Sequence, residues 1–238
     1  MFLLIAIINF VSAFAQAASG FGYAIIAMFF MPMFLPFQQC SVISAGVIII
    51  IAIQMVISLR KHICINKIIV PMIFCLIMTI LGIWIINVIN ETVARKIMGV
   101  FLILLSFYFY YTKKHKIFIK YNFFNSMIIG MLTGLSTGMF NIVGPFLTLY
   151  YYDNCENNLE FKGNLELSFL IAGTFSFVIN IFYVGLSPFL IKHLIFSGIA
   201  VVISGIIGLK VFYKINKEKL KYIIICFMPI MGIVQIIK

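Results

Sequence analysis

The stretch S-G-F-G-Y-A-I-I-A-M-F-F-M-P-M-F-L-P, Ser19 to Pro36, lies inside an opening run of 59 residues without one Lys, Arg, Asp or Glu. Such a run reads as membrane helix, yet it carries Ser-Gly-x-Gly near its middle, where glycine weakens a helix. A break placed there is expected to be the working part of the molecule.

The rest of the chain agrees with a bilayer. It has 238 residues, 64% hydrophobic and 10% charged, with a mean hydropathy of +1.19. A soluble domain carries about 25% charged residues and needs them as surface. The formal charge of +11 would suggest nucleic acid in a soluble protein. Here the basic residues fall in short loops between apolar runs, as in membrane proteins, so nucleic acid is set aside. The five cysteines (Cys40, Cys64, Cys75, Cys155, Cys226) are odd in number and lack C-x-x-C spacing, so no disulfide framework, zinc site or other metal site is indicated. His62, His115 and His193 each neighbour a Lys and read as membrane-face loop residues. The first basic residue is Arg60, so the charged start of a signal peptide is missing and none is expected.

Six segments approach the roughly 20 apolar residues of a membrane helix: Val42–Leu59, Ile68–Ile89, Ile97–Thr112, Leu165–Leu186, Leu194–Phe212 and Tyr222–Ile237. Two longer stretches, Phe2–Phe37 and Phe123–Tyr152, are punctuated at Ser19-Gly20-Phe21-Gly22 and around Thr137-Gly138-Met139-Phe140-Asn141. They align on each other: an offset of 118 places Ser19-Gly20 on Thr137-Gly138, and further along an offset of 126 places Gly82 on Gly208 and Ile89-Asn90 on Ile215-Asn216. The drift is assigned to a long polar loop, Asp153–Asn164, opposite Phe37–Ser41. The expected fold is an all-α integral membrane protein of two repeats, residues 1–112 and 122–238, joined by a basic linker at 113–121. Each repeat is a glycine-broken hairpin followed by three transmembrane helices, giving about 8–10 membrane segments.

Counting Lys and Arg orients the chain. If each broken unit enters and leaves on one side, thirteen of the 17 basic residues share one face and four (Arg95, Lys96, Lys192, Lys238) lie on the other. A single crossing by each unit gives an almost even split. The basic excess marks the cytoplasm, so hairpins are favoured and the two repeats are inverted. Inverted repeats with interrupted helices are the recurring plan of secondary transporters.

Backbone interrupted within a membrane persists only where protein or a water-filled cavity covers it. A half-helix starting after the glycines would aim its free N–H groups into that cavity, and a helix N-terminus attracts anions. Ser19, Gly20, Gly22, Thr137, Gly138 and Asn141 are therefore candidate binding residues, with leucine at Gly20 or Gly138 expected to block the ligand without harming insertion. Gln16, Gln54, Asn87 and Asn180 are candidates to line the path, although such amides more often bond between helices. Of six acidic residues, five are placed in loops and Glu166 near a helix start. No charge is expected at a helix centre, so the substrate itself is expected to carry the translocated charge, unless Glu166 couples a proton. Catalytic carboxylate pairs and a P-loop are absent, so neither an enzyme nor ATP hydrolysis is expected, and no cofactor is called for.

At these residues the chain resembles the sulfite exporter TauE/SafE family. The first motif, A-Q-A-A-S-G-F-G-Y-A-I-I-A (Ala15 to Ala27), precedes Pro32. The second, T-G-L-S-T-G-M-F-N-I-V-G-P-F-L-T-L-Y, spans Thr133 to Tyr150. Arg60-Lys61-His62 and Phe161-Lys162-Gly163 are similar to the family too, with Lys162 where arginine is expected. Met139-Phe140-Asn141 stand where the family is richer in glycine. The resemblance implies a multi-pass cytoplasmic-membrane carrier for sulfite, sulfonates or related organic acids, and adds Gly144 and Pro145 to the candidate site. An anion-permeable channel is the alternative, and homo-oligomer formation is left open.

Overall fold

A computed structural model describes residues 1–115, 118–212 and 217–237, excepting the side chains of 19, 113–115, 211–212 and 217–224. The described residues form ten α-helices: α1 (Phe2–Ser19), α2 (Tyr23–Phe30), α3 (Phe37–Leu59), α4 (Asn66–Val88), α5 (Glu91–His115), α6 (Phe123–Phe140), α7 (Gly144–Asn154), α8 (Asn158–Val184), α9 (Pro188–Phe212) and α10 (Lys217–Ile237). Six of these, α3 to α6, α8 and α9, are long and apolar enough to cross a bilayer. The outer faces stay apolar: Ile69, Ile73, Ile77, Ile80 and Trp84 stand exposed along α4. So continuous an apolar surface is stable against lipid and not against water.

Each of the six expected spans overlaps one described helix, and each broken stretch yields a long helix followed by a short one. α2 has 8 residues and α7 has 11, about 12 and 17 Å, well short of the roughly 30 Å apolar layer. The expected polar loop at Asp153–Asn164 is mostly helix, because α7 runs to Asn154 and α8 starts at Asn158. The Asn157 side chain accepts from Leu159 and Glu160 N–H, capping α8 seven residues before the expected start. Lys162 and Glu160, expected in a loop, are therefore buried helix residues, and so is Glu166. Glu91, likewise expected in a loop, opens α5 and pairs with Arg95 at 2.6 Å. His193 is also corrected: it sits in α9, buried between the rings of Phe2 and Phe189.

The two halves correspond in position. The helix starts Phe2 and Phe123, the left-handed caps Gly20 and Asn141, and the second-helix starts Tyr23 and Gly144 are each 121 residues apart. α3 and α8 keep that spacing at their starts, so the drift arises after them and not at Asp153–Asn164. The principal packing partners obey the same exchange. α1 lies on α9 and α6 on α4; α3 lies on α9 and α8 on α4; α3 pairs with α8, and α5 with α10. Swapping the first five helices for the last five reproduces this set.

Contacts gather the loops into two groups. In one, Tyr121 donates to the Asn66 carbonyl, Asn154 to the Ile119 carbonyl, and Cys64 N–H to Asn164. In the other, Arg95 donates to the Pro32 carbonyl, Gln235 to the Phe29 carbonyl, and Asn9 reaches both Met31 and Ser197.

Candidate functional site

α1 ends on Gly20, whose φ of 93° is the left-handed region that glycine enters freely; Gly22, at φ 112°, starts α2 the same way. The second interruption falls at the end of the expected stretch Thr137–Asn141, three residues beyond the Gly138 that the offset of 118 aligned with Gly20. α6 runs through Thr137 and Gly138 to Phe140 and ends on Asn141 at φ 56°. After glycine, asparagine is the residue that accepts this conformation most readily.

The two interruptions touch. A Cβ built on Gly144 would lie 2.9 Å from Phe21 Cβ and 3.3 Å from Phe169 Cζ, so the start of α7 passes directly over the first break. Between them is a pocket lined by Gln16, Gly22 to Ile25, Asn141 to Pro145, Ile48 and Phe169. Ile48 and Phe169 stand midway along α3 and α8, so the pocket lies halfway up the central pair. It has room for about one water molecule. α2 begins there with the N–H groups of Tyr23, Ala24 and Ile25, which have no acceptor within their helix, since the first such bond runs from Ile26 N–H to the Gly22 carbonyl. α7 begins there with Gly144 and Pro145; proline at this point loses no helical bond.

Of the residues expected at the site, Gly22, Asn141, Gly144 and Pro145 line the pocket, and Gly20 is one residue from Phe21. Thr137 and Gly138 do not. The Thr137 hydroxyl donates to the Thr133 carbonyl at 2.7 Å. Gly130, Gly134 and Gly138, spaced by four, press α6 onto α4 so closely that a Cβ on any of them would overlap a carbonyl of Pro71, Cys75 or Thr79. That is the small-residue packing stripe of membrane helices. Asn141 is at the pocket, but its amide is engaged: it donates to the Ser41 carbonyl at 2.9 Å and accepts from Ser176 Oγ at 2.7 Å. Of the four amides considered for the path, Gln16 alone lines it; Asn180 bonds within α8, Gln54 to the Val202 carbonyl and Asn87 to the Ile83 carbonyl.

Sequence reasoning singled out Glu166 but missed its buried pairing with Lys162 beside the pocket. Lys162 and Glu166, both inaccessible to water, lie 3.4 Å apart on α8. Lys162 donates to the Ala17 carbonyl at 2.8 Å, closing the C-terminal end of α1, and Gln16 donates to Glu166 at 3.2 Å. The signal was present as N-x-x-E at Asn157–Glu160, a helix-start signature that moves Lys162 and Glu166 into a helix at pairing distance.

The model of one family matches residues 4–234, nearly the whole chain: sulfite exporter TauE/SafE. The chain belongs to the sulfite exporter TauE/SafE family. No curated protein and no solved structure matches it. Membership of a membrane transporter family for sulfite-type anions, with six long apolar helices, makes it a multi-pass membrane protein. For a TauE/SafE protein, a pocket bounded by two helix starts offers N–H donors and positive helix ends, chemistry suited to a small anion.

Proposed function

We propose that this TauE/SafE protein is a secondary carrier moving sulfite, a sulfonate or a related organic acid across the cytoplasmic membrane, with the anion bound where the two helix interruptions meet. One observation carries the reading: Gly22–Ile25 and Val143–Pro145, from opposite halves of the chain, line the same pocket midway along α3 and α8. Residues 1–112 and 122–238 are read as inverted repeats, each a broken hairpin and three spans joined through 113–121. Support comes from the exchange symmetry of the helix pairings and from the loop groups, which bring both ends of each broken stretch to one end of the bundle. The basic bias survives the removal of buried Lys162 from the count, and this supports a cytoplasmic position for the Arg60–His62 end.

Because the pocket admits about one water, an anion enters only when the helices move, which favours a carrier over the channel alternative. The test is counterflow in proteoliposomes. External labelled sulfite should enter faster when unlabelled sulfite is inside, and flux should saturate. Flux that rises linearly with concentration, indifferent to the internal anion, would establish the channel instead.

A further inference from the structure

The buried pair beside the pocket has a job that packing alone does not explain. Lys162 and Glu166 are one helical turn apart, and each is costly in a membrane interior unless it keeps an opposite charge. They reach the pocket through one residue: Gln16 donates its side-chain amide to Glu166 Oε2, accepts Lys162 Nζ on its main-chain carbonyl at 3.4 Å, and lines the pocket itself. Glu166 Oε1 faces Lys162 but makes no hydrogen bond among the described residues.

Among the described residues, the charges on the neighbouring elements are engaged elsewhere or exposed. α1, α3 and α6 contain no charged residue. From α4, Lys67 is paired with Glu160 at 2.8 Å. From α7, Asp153 accepts from Ile119 N–H, and the hydroxyls of Tyr150 and Tyr151 bond to Ser126 and Ser168. Arg60, Lys61 and His62, beside the start of α8, are exposed.

We propose that this pair couples anion movement to a proton, an inference that rests on the anion-site reading above. An anion entering the pocket would set two negative charges against one buried cation. Taking a proton on Glu166 Oε1 restores the balance. Lys162 then answers the anion, and Glu166 stays neutral on Gln16. On release the proton returns to water on the side where the anion leaves, and the ion pair re-forms. Empty and loaded sites then carry the same net charge. Each cycle moves one monovalent anion and one proton, with no net charge crossing the membrane.

The test uses the wild-type protein in proteoliposomes, with sulfite and methanesulfonate as probes and the membrane potential clamped at zero by potassium and valinomycin. Acid outside should drive methanesulfonate accumulation by up to about tenfold per pH unit. A pH dye inside should report acidification, although this monoanion brings no proton of its own. Glu166→Gln should still exchange internal for external probe but lose both pH-driven accumulation and the dye response. If that variant does not reach the membrane, the wild-type dye signal decides alone, since it needs no variant. Uptake without acidification, or pH-driven accumulation that persists in Glu166→Gln, overturns the coupling and leaves the site standing. Absence of flux for both probes overturns the site reading, and this inference with it.

Discussion

The first interruption, Gly20-Phe21-Gly22, and the second, Asn141-Ile142-Val143, each close a long helix on a left-handed residue but do so with different residues. The first uses two left-handed glycines and places Phe21 against the start of α7. The second uses a single left-handed asparagine, whose side chain also ties α3 to α8 through Ser41 and Ser176. What repeats across the halves is a left-handed residue closing the long helix at a fixed spacing, Gly20 and Asn141, while the residue before the short helix differs, Gly22 at φ 112° against Val143 at φ −86°. The glycines of α6 that look like the counterpart of Ser19-Gly20 belong instead to the contact with α4.

The largest effect that separates the two regions is at Gly138. Leucine there would collide with the Thr79 carbonyl and the Gly82 α-carbon, main-chain atoms that cannot step aside. We expect Gly138→Leu to cost more than about 3 kcal/mol and to abolish expression in the membrane. This reverses the expectation from sequence that the variant would insert normally. A well-expressed, monodisperse Gly138→Leu protein, seen by size-exclusion chromatography in detergent, would break the distinction between packing and break glycines.

Asn141 comes next. Asn141→Ala keeps the unfavourable φ, at about 1–2 kcal/mol, and strips partners from Ser41 and Ser176, at about 1 kcal/mol each. Asn141→Gly removes the strain but not the loss of partners. Thermal unfolding in detergent should therefore rank wild type above Asn141→Gly and Asn141→Ala lowest. Equal melting temperatures for the two variants would deny the left-handed cap any part in stability.

Gly20 gives a smaller effect, because a Cβ there meets only ordinary contacts, Phe161 at 3.6 Å and Leu165 at 3.7 Å. The cost is the backbone's: about 1–2 kcal/mol for Gly20→Ala and less for Gly20→Asn, which borrows the second break's solution. Should Gly20→Ala melt at or above the wild-type temperature, the first break would not need its glycine.

The smallest perturbation concerns orientation and touches no packing, costing only the helix-start hydrogen bonds of Asn90 and Asn157. Single cysteines at exposed Asn90 and Asn157, in a cysteine-free background, should label from outside the cell at Asn90 alone. Labelling at Asn157 but not at Asn90 would invert the comparison between the two ends.

Much of this fold is legible in the chain, because apolar length is a strong signal and each of the six proposed spans falls on a helix. The register between the halves is not. Aligning Gly20 with Gly138 trusts residue identity, whereas the physical requirement is a left-handed backbone, which Asn141 meets as well. Gly22 and Asn141 were readable at the candidate site because the backbone turns left-handed there, whereas Gly144 and Pro145 came from the family resemblance. Phe169, Ile48 and the Lys162–Glu166 pair reach the pocket only through the packing of α3, α8 and α1, which no local pattern encodes.

The central claim, that both interruptions build one anion site, is tested most directly by locating the anion. Selenite is a sulfite analogue with a strong anomalous signal, and crystals of the wild-type protein grown with it would report its position without any mutation. The account predicts an anomalous peak within hydrogen-bond distance of the α2 start at Tyr23–Ile25, beside Gly144 and Ile48. A peak elsewhere, for instance among Arg60, Lys61 and His62 with the pocket empty, would contradict it.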